Sequence, residues 1–320
     1  MDKAIDVVGK ARSDMLTHTL IDFLMGETDG VPKDPNYIFR LYMALGNYLQ
    51  AGKTAIIISR QEQELGNYKV AHSILFETHK DLEAQSIRVP QALSRSLRLL
   101  HSYILVKKLV KQNNHEAAAR MLIRVAKHIS KFPSHIVPIL TSTVIECQRA
   151  GLKRSAFDYA SMLMRPEYRS QIEPKLKRKI EQLVRRPNTE EAEEASPPCP
   201  FCASPLSASA LECSSCMNTV PYCVVTGRHM VIDNWTVCPN CKFPALHDAL
   251  VPFMSFDKVC PMCDTEVDPT KIVKFLEDDA RAALQRFKTG PDEDDGEDID
   301  GSGSDKDKDK GDKEGGGGGG

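Results

Sequence analysis

The stretch of sequence that decides the fold spans residues 199–263 and reads CPFCASPLSASALECSSCMNTVPYCVVTGRHMVIDNWTVCPNCKFPALHDALVPFMSFDKVCPMC. It contains four Cys-x-x-Cys pairs and nine of the ten cysteines, and Cys147 lies outside it. Two thiolates on one tight turn can both reach a tetrahedral ion at a Zn–S distance of about 2.3 Å, so two pairs close a site completely. The sequence therefore predicts two structural zinc ions, with the ligands Cys199, Cys202, Cys213, Cys216, Cys238, Cys241, Cys260 and Cys263.

The simplest assignment of these ligands is sequential. The first four cysteines have ten residues between their pairs, a fitting length for the hairpin of a zinc ribbon, and the last four have 18. Proline follows the first cysteine in three of the pairs and stiffens the turn by fixing φ. Cys223 and His229 lie between the two predicted sites and are chemically able to replace a ligand. We interpret them as structural neighbours, and the pairing of the ligands stays open at this stage.

The start of the chain indicates a reducing compartment. Residues 1–13 mix charged and scattered apolar side chains, which is unlike a secretory signal. In a reducing compartment this cysteine spacing is typical of metal binding and not of a disulfide framework. The uncharged runs of the helical part are too short and too broken to span a bilayer, so we predict no transmembrane segment. The net charge of −2 provides no overall field toward nucleic acid or membrane.

Residues 1–187 are predicted to form a tetratricopeptide-like helical-repeat domain. Apolar residues in the segment 118–129 recur at the i, i+3, i+4, i+7 spacing of an amphipathic helix. A turn residue is followed five positions later by a small alanine in three segments, residues 66–71, 113–118 and 151–156. Small alanines let neighbouring helices approach closely, as in helix pairs that stack into a solenoid. The uneven spacing of the segments leaves an irregular helical bundle as the alternative.

The rest of the chain divides by composition. We predict an acidic linker at residues 188–198, a zinc-binding module at 199–268 and an amphipathic C-terminal helix at 269–290. Residues 291–320 hold 12 acidic and 4 basic residues, so they cannot bury a core and are predicted to be disordered. The predicted fold class is mainly α, a tetratricopeptide-like helical solenoid followed by a small zinc-ribbon-like module and a disordered acidic tail.

Two other function classes are the alternatives for this sequence, a RING-type ubiquitin ligase and a nucleic-acid-binding zinc ribbon. A RING-type ubiquitin ligase needs a Cys or His two or three residues before the third pair, whereas eight residues separate His229 from Cys238. A nucleic-acid-binding zinc ribbon would use the basic cluster at residues 175–186 for phosphate contacts. Glu173 and Glu181 interleave that cluster, and no aromatic side chain accompanies it, which favours a solvated helix face.

Candidate catalytic residues are missing from the sequence pattern. No Ser/His/Asp or paired-carboxylate constellation can be singled out, so we predict no catalysis. His101, His128 and His135 lie in predicted helices without ligand spacing, and we expect their side chains to be packed or exposed.

Several segments along the chain are similar to the C-terminal part of the WD-repeat protein 19 family, a core subunit of intraflagellar transport complex A. The resemblance extends from about residue 37 to residue 263. The segments that carry it are residues 103–107, 119–126, 129–143, 162–170, 199–202, 222–223, 226–230 and 235–239.

This resemblance implies a function. The family has WD-repeat propellers, a tetratricopeptide-like solenoid and a zinc-binding end, and this chain lacks the propellers, as a fragment or a shortened paralogue would. The resemblance implies a non-enzymatic scaffold for retrograde ciliary transport, cilium assembly and import of membrane receptors. Its implied partners are the other subunits of complex A and ciliary membrane cargo adaptors, with no nucleic acid. The implied location is the cilium and its base, at the basal body, on the cytoplasmic side.

Overall fold

Helices of the N-terminal part stack in chain order. The computed structural model describes residues 1–186 and 193–287. Its first eleven helices are α1 (Asp2–Ala11), α2 (Asp14–Met25), α3 (Pro35–Leu45), α4 (Tyr48–Glu64), α5 (Tyr68–Ala84), α6 (Gln91–Lys111), α7 (His115–Ala126), α8 (Ile136–Arg149), α9 (Lys153–Leu163), α10 (Pro166–Arg169) and α11 (Pro174–Arg185). Each helix from α3 to α8 packs on the next, and α11 packs on α9.

The three similar sequence segments form equivalent joints in this array. Gly66, Asn113 and Gly151 each have a positive φ, between 57° and 83°, directly before α5, α7 and α9. At each joint the next amide donates to a carbonyl five residues earlier, as Leu152 does to Cys147 at 2.8 Å, which is the Schellman arrangement. The predicted small alanines, Ala71, Ala118 and Ala156, are completely buried where neighbouring helices meet.

The cysteine-rich part has little regular structure. Strands β1 (Trp235–Val237) and β2 (Pro244–Leu246) pair antiparallel, with Trp235 opposite Leu246. The remaining α-helices are α12 (His247–Asp257) and α13 (Glu277–Gln285). Single turns of 3-10 helix are found at Ile129–Lys131, Pro133–His135, Ile232–Asn234 and Pro269–Lys271. We call residues 193–287 the zinc-binding module, because its hydrogen bonds begin before the first cysteine and continue beyond the last one.

This module packs on the side of the helical array. Buried side chains of α5, α6 and α7 share one continuous hydrophobic core with buried side chains of the module, among them Leu105 of α6 and Trp235 of β1. The ring of Phe243 adds contacts with Phe76 and His79 of α5, at centroid distances of 5.8 and 4.9 Å. The apolar seam between module and helices is therefore part of the main core of the protein.

The C-terminal helix is shorter than the predicted range of 269–290. The structure has a 3-10 turn at Pro269–Lys271, an extended segment, and then α13. The extended segment is held by β1, because Phe275 donates its amide to the Trp235 carbonyl at 2.8 Å and Thr236 donates to the Val273 carbonyl at 2.7 Å. Residues 288–290 lie outside the described residues.

The end of the predicted acidic linker is built into the module. Glu194 accepts hydrogen bonds from the Ser207 hydroxyl and from the amide of Ser209. The Pro197 carbonyl accepts from the Leu206 amide at 3.0 Å. Residues 193–198 are therefore packed, whereas residues 188–192 lie outside the described part.

The predicted fold class is confirmed for the described residues, which are mainly helical and carry two four-cysteine clusters near the C-terminal end. The predicted disordered tail at 291–320 lies outside them.

Candidate metal centre

Eight cysteines come together as two sets of four. The sulfur atoms within each set all lie within 4.8 Å of one another. The first set comprises Cys199, Cys202, Cys213 and Cys216, and the second comprises Cys238, Cys241, Cys260 and Cys263.

Distances between the sulfur atoms fit a tetrahedral ion. Four sulfurs at about 2.3 Å from zinc lie about 3.8 Å apart. The measured distances are 3.9 Å from Cys199 to Cys216, 3.7 Å from Cys202 to Cys213 and 4.0 Å from Cys241 to Cys260. The two clusters therefore fit two structural zinc ions. Each set already supplies four donors, so no coordination position is left for a substrate.

One local backbone motif presents each sulfur pair. The amide of Cys199 donates to the Ser204 carbonyl at 2.8 Å, and the Ala203 amide donates back to the Cys199 carbonyl at 2.8 Å. Ala203 has a φ of 61°, which closes the turn. The same two hydrogen bonds recur around Cys213, Cys238 and Cys260. We call these four turns the ligand turns.

Two hydroxyl groups that were not predicted from the sequence contact the sulfurs. Ser204 Oγ lies 2.9 Å from Cys202 Sγ, and Thr265 Oγ1 lies 2.9 Å from Cys263 Sγ. A hydroxyl donor beside a metal-bound thiolate stabilises its negative charge and fixes its orientation. Their position in the sequence could have identified them, because each hydroxyl residue follows the second cysteine of its pair by two positions.

Within the described residues, Cys223 and His229 belong to neither of the two four-cysteine sets. Cys223 Sγ instead accepts the Leu246 amide at 3.2 Å. His229 Nδ1 donates to the Ser207 carbonyl at 3.1 Å, and burial lowers the pKa of His229. Both side chains therefore have structural contacts inside the module.

The order of the cysteines in the clusters bears on the ubiquitin-ligase hypothesis. A RING domain interleaves its ligand pairs, whereas here the first two pairs form one set and the last two form the other. The structure therefore does not reproduce the cross-braced arrangement that this hypothesis requires.

Polar contacts also hold the module against the helices. His101 of α6 donates from Nε2 to the Val224 carbonyl at 2.7 Å. Arg124 of α7 donates to the carbonyls of Gly227 and Ser209 at 2.7 and 2.8 Å. Burial lowers the pKa of His101 to about 3 and that of Arg124 to about 10.

The basic cluster lies on α11, at the other end of the array from α1. Lys175, Arg178 and Lys179 are exposed, while Ile180 packs into the core beneath them. Glu181, which lies within the cluster, pairs with Arg169 at 3.1 Å. These features are those of a solvated helix face.

None of the helices in the described part of the chain is long and apolar enough to cross a membrane.

Comparison with known proteins identifies relatives for most of the chain. A family model described as IFT121, second zinc finger domain, matches residues 221–268. WD repeat-containing protein 19 of Mus musculus is 55% identical over 277 residues, which is 87% of this chain and 21% of the relative. The Homo sapiens protein of the same name is 56% identical over 86% of this chain and 20% of its own length.

A more distant relative extends the comparison. WD repeat-containing protein dyf-2 of Caenorhabditis elegans is 39% identical over 89% of this chain and 20% of the relative. The chain therefore spans about a fifth of the length of the curated relatives it matches.

Proposed function

Because the chain is homologous to WD repeat-containing protein 19 over 87% of its length, we propose that it is a non-enzymatic scaffold subunit of intraflagellar transport complex A. In this role it acts in retrograde ciliary transport, cilium assembly and the ciliary import of membrane receptors. The homology is the observation that carries the proposal, since identity above 50% spans both the helical array and the zinc-binding module.

The eight paired cysteines are the proposed metal ligands. Zinc supplies folding free energy to a segment whose secondary structure is sparse, and closed four-sulfur sites serve structure. The zinc ions would thereby hold the module in the shape that packs on the helices.

The helical array is the proposed surface for partners. Stacked helices present an extended face on which other subunits can lie. The proposed partners are the other subunits of complex A, followed by ciliary membrane cargo adaptors. The proposed location is the cilium and its basal body, on the cytoplasmic side.

Affinity purification from ciliated cells tests the proposal. We expect the tagged chain to recover subunits of complex A and to concentrate at the cilium. Replacing Cys238 and Cys241 by serine should reduce the recovery, because the module loses its second cluster. A Lys175→Gln, Arg178→Gln variant is the control for the nucleic-acid hypothesis and should recover the subunits normally. Failure of the zinc-loaded, folded chain to recover any subunit of complex A would contradict the proposal.

A further inference from the structure

A fifth turn in the module copies the ligand turns without being able to hold a metal pair. In this segment, residues 223–228, the Cys223 amide donates to the Arg228 carbonyl at 2.8 Å and the Gly227 amide donates back to the Cys223 carbonyl at 2.7 Å. Tyr222 and His229 form the bridge that closes the hairpin, as Pro198 and Pro205 do around the first ligand turn. Thr226 stands where each ligand turn has its second cysteine. We call this segment the Cys223 turn.

One buried and one half-buried donor of the helical array bind the tip of the Cys223 turn. The Val224 carbonyl accepts from His101 of α6, and the Gly227 carbonyl accepts from Arg124 of α7. His101 is fully buried, so this hydrogen bond is shielded from water. Each ligand turn lies beside another ligand turn in a four-cysteine cluster, whereas the Cys223 turn contacts two helices.

Helix α7 approaches the Cys223 turn closely at Gly227. At the equivalent position the four ligand turns carry Ala203, Met217, Lys242 and Asp264, all with φ between 52° and 63°. The turn itself therefore tolerates a side chain there. At Gly227, however, a Cβ atom would lie 2.1 Å from Met121 Sδ and 2.6 Å from Met121 Cε. A side chain at Gly227 would therefore displace the end of the Met121 side chain at the contact with α7.

The Cys223 turn is also joined to the second cluster. Val224 donates its amide to the Pro244 carbonyl at 3.2 Å, and the Leu246 amide donates to Cys223 Sγ. Pro244 and Leu246 are the two ends of β2, the returning strand of the hairpin that carries Cys238 and Cys241. The Cys223 turn is therefore hydrogen-bonded both to the strand that follows the Cys238 ligand turn and to α6 and α7.

From these contacts we propose that the Cys223 turn is a metal-free docking element whose partner is the α6–α7 face of the same chain. Through it, occupancy of the second cluster controls whether the module stays docked on the helical array. This inference is independent of the transport function, because it rests only on contacts within the chain.

Hydrogen–deuterium exchange on the full chain tests the docking. The Gly227→Ala variant should retain its two zinc ions, while amides of α7 and of the end of α6 exchange about tenfold faster, a change within the usual range for an overpacked contact. The matched control is Gly151→Ala, since Gly151 has a φ of 75° and nothing within 4 Å of its added Cβ. This control should leave α6 and α7 unchanged. Equal exchange in α6 and α7 for both variants would overturn the proposal.

Two further variants separate docking from coupling. Arg124→Lys keeps a positive charge, but its side chain is one atom shorter than the reach to Nη2, the arginine nitrogen that contacts both carbonyls. This variant should therefore also speed exchange in α6 and α7. Replacing Cys260 and Cys263 by serine removes half of the second cluster without touching the interface glycine, and should speed exchange in the same amides. If this last variant leaves α6 and α7 protected, the coupling to metal is wrong.

Discussion

Mild acid should lower the stability of the folded protein through His101, a residue of the contact between module and helices. The ring is completely buried, and its Nε2 proton is committed to the Val224 carbonyl. The pKa of His101 falls from 6.5 to about 3, mainly through burial, with smaller contributions from His72, Arg124 and Lys108, whose charges oppose a second proton. The folded protein therefore keeps a neutral His101 at a pH where the unfolded chain is already protonated.

The size of the effect follows from this difference. Because the pKa of His101 is lowered in the folded state, the contribution of this residue to stability is fully present above pH 6.5, the ordinary pKa in the unfolded chain. That contribution is lost progressively as the pH falls toward about 3. A pH of about 5 is about 1.5 units below the pKa of this histidine in the unfolded chain. Protonation of the unfolded chain therefore lowers the free energy of unfolding by about 2 kcal/mol.

A His101→Gln variant isolates that loss. Glutamine can still donate a hydrogen bond toward the Val224 carbonyl, but it does not titrate. We expect the free energy of unfolding, measured by urea denaturation at pH 7 and pH 5, to fall about 2 kcal/mol more in the wild-type chain than in the variant. Loss of zinc at low pH affects both proteins and cancels in the comparison. An equal pH dependence in the two proteins would refute the reasoning.

Other predictions concern the packing of the helical array and the hydroxyl groups that contact the cysteine sulfurs. Ala118→Leu should lower the free energy of unfolding by about 1–3 kcal/mol in urea denaturation, because Ala118 is completely buried between helices; no loss would show that the helices do not meet there. Ser204→Ala and Thr265→Ala should each weaken zinc binding about 10–100-fold in competition with a chelator, because each hydroxyl contacts a sulfur. Ser214→Ala, at an exposed position of the second ligand turn, is the control, and an equal effect there would discount the hydroxyl contacts.

Much of the helical array was predictable from local sequence. The turn residues before α5, α7 and α9 and the small alanines after them act within one or two helical turns, so their spacing is visible in the sequence. The cysteine pairs were visible for the same reason, because a ligand turn is closed by hydrogen bonds within six residues.

Docking of the module could not be predicted in this way. The hydrogen bond from His101 to Val224 joins residues 123 positions apart, and the donor resembles any other histidine on a helix. The Cys223 turn was hidden because Thr226 replaces the second cysteine that makes the other turns recognisable. The shortened C-terminal helix has the same origin, since β1 holds Phe275 in an extended segment through a distant backbone contact.

Metal analysis of the full chain tests the central claim most directly. We expect two zinc ions in the wild-type chain. We expect one ion when Cys199 and Cys202 are replaced by serine, and one ion when Cys238 and Cys241 are replaced. Loss of both ions from either variant, or retention of both, would contradict two separate clusters that each bind one structural zinc ion.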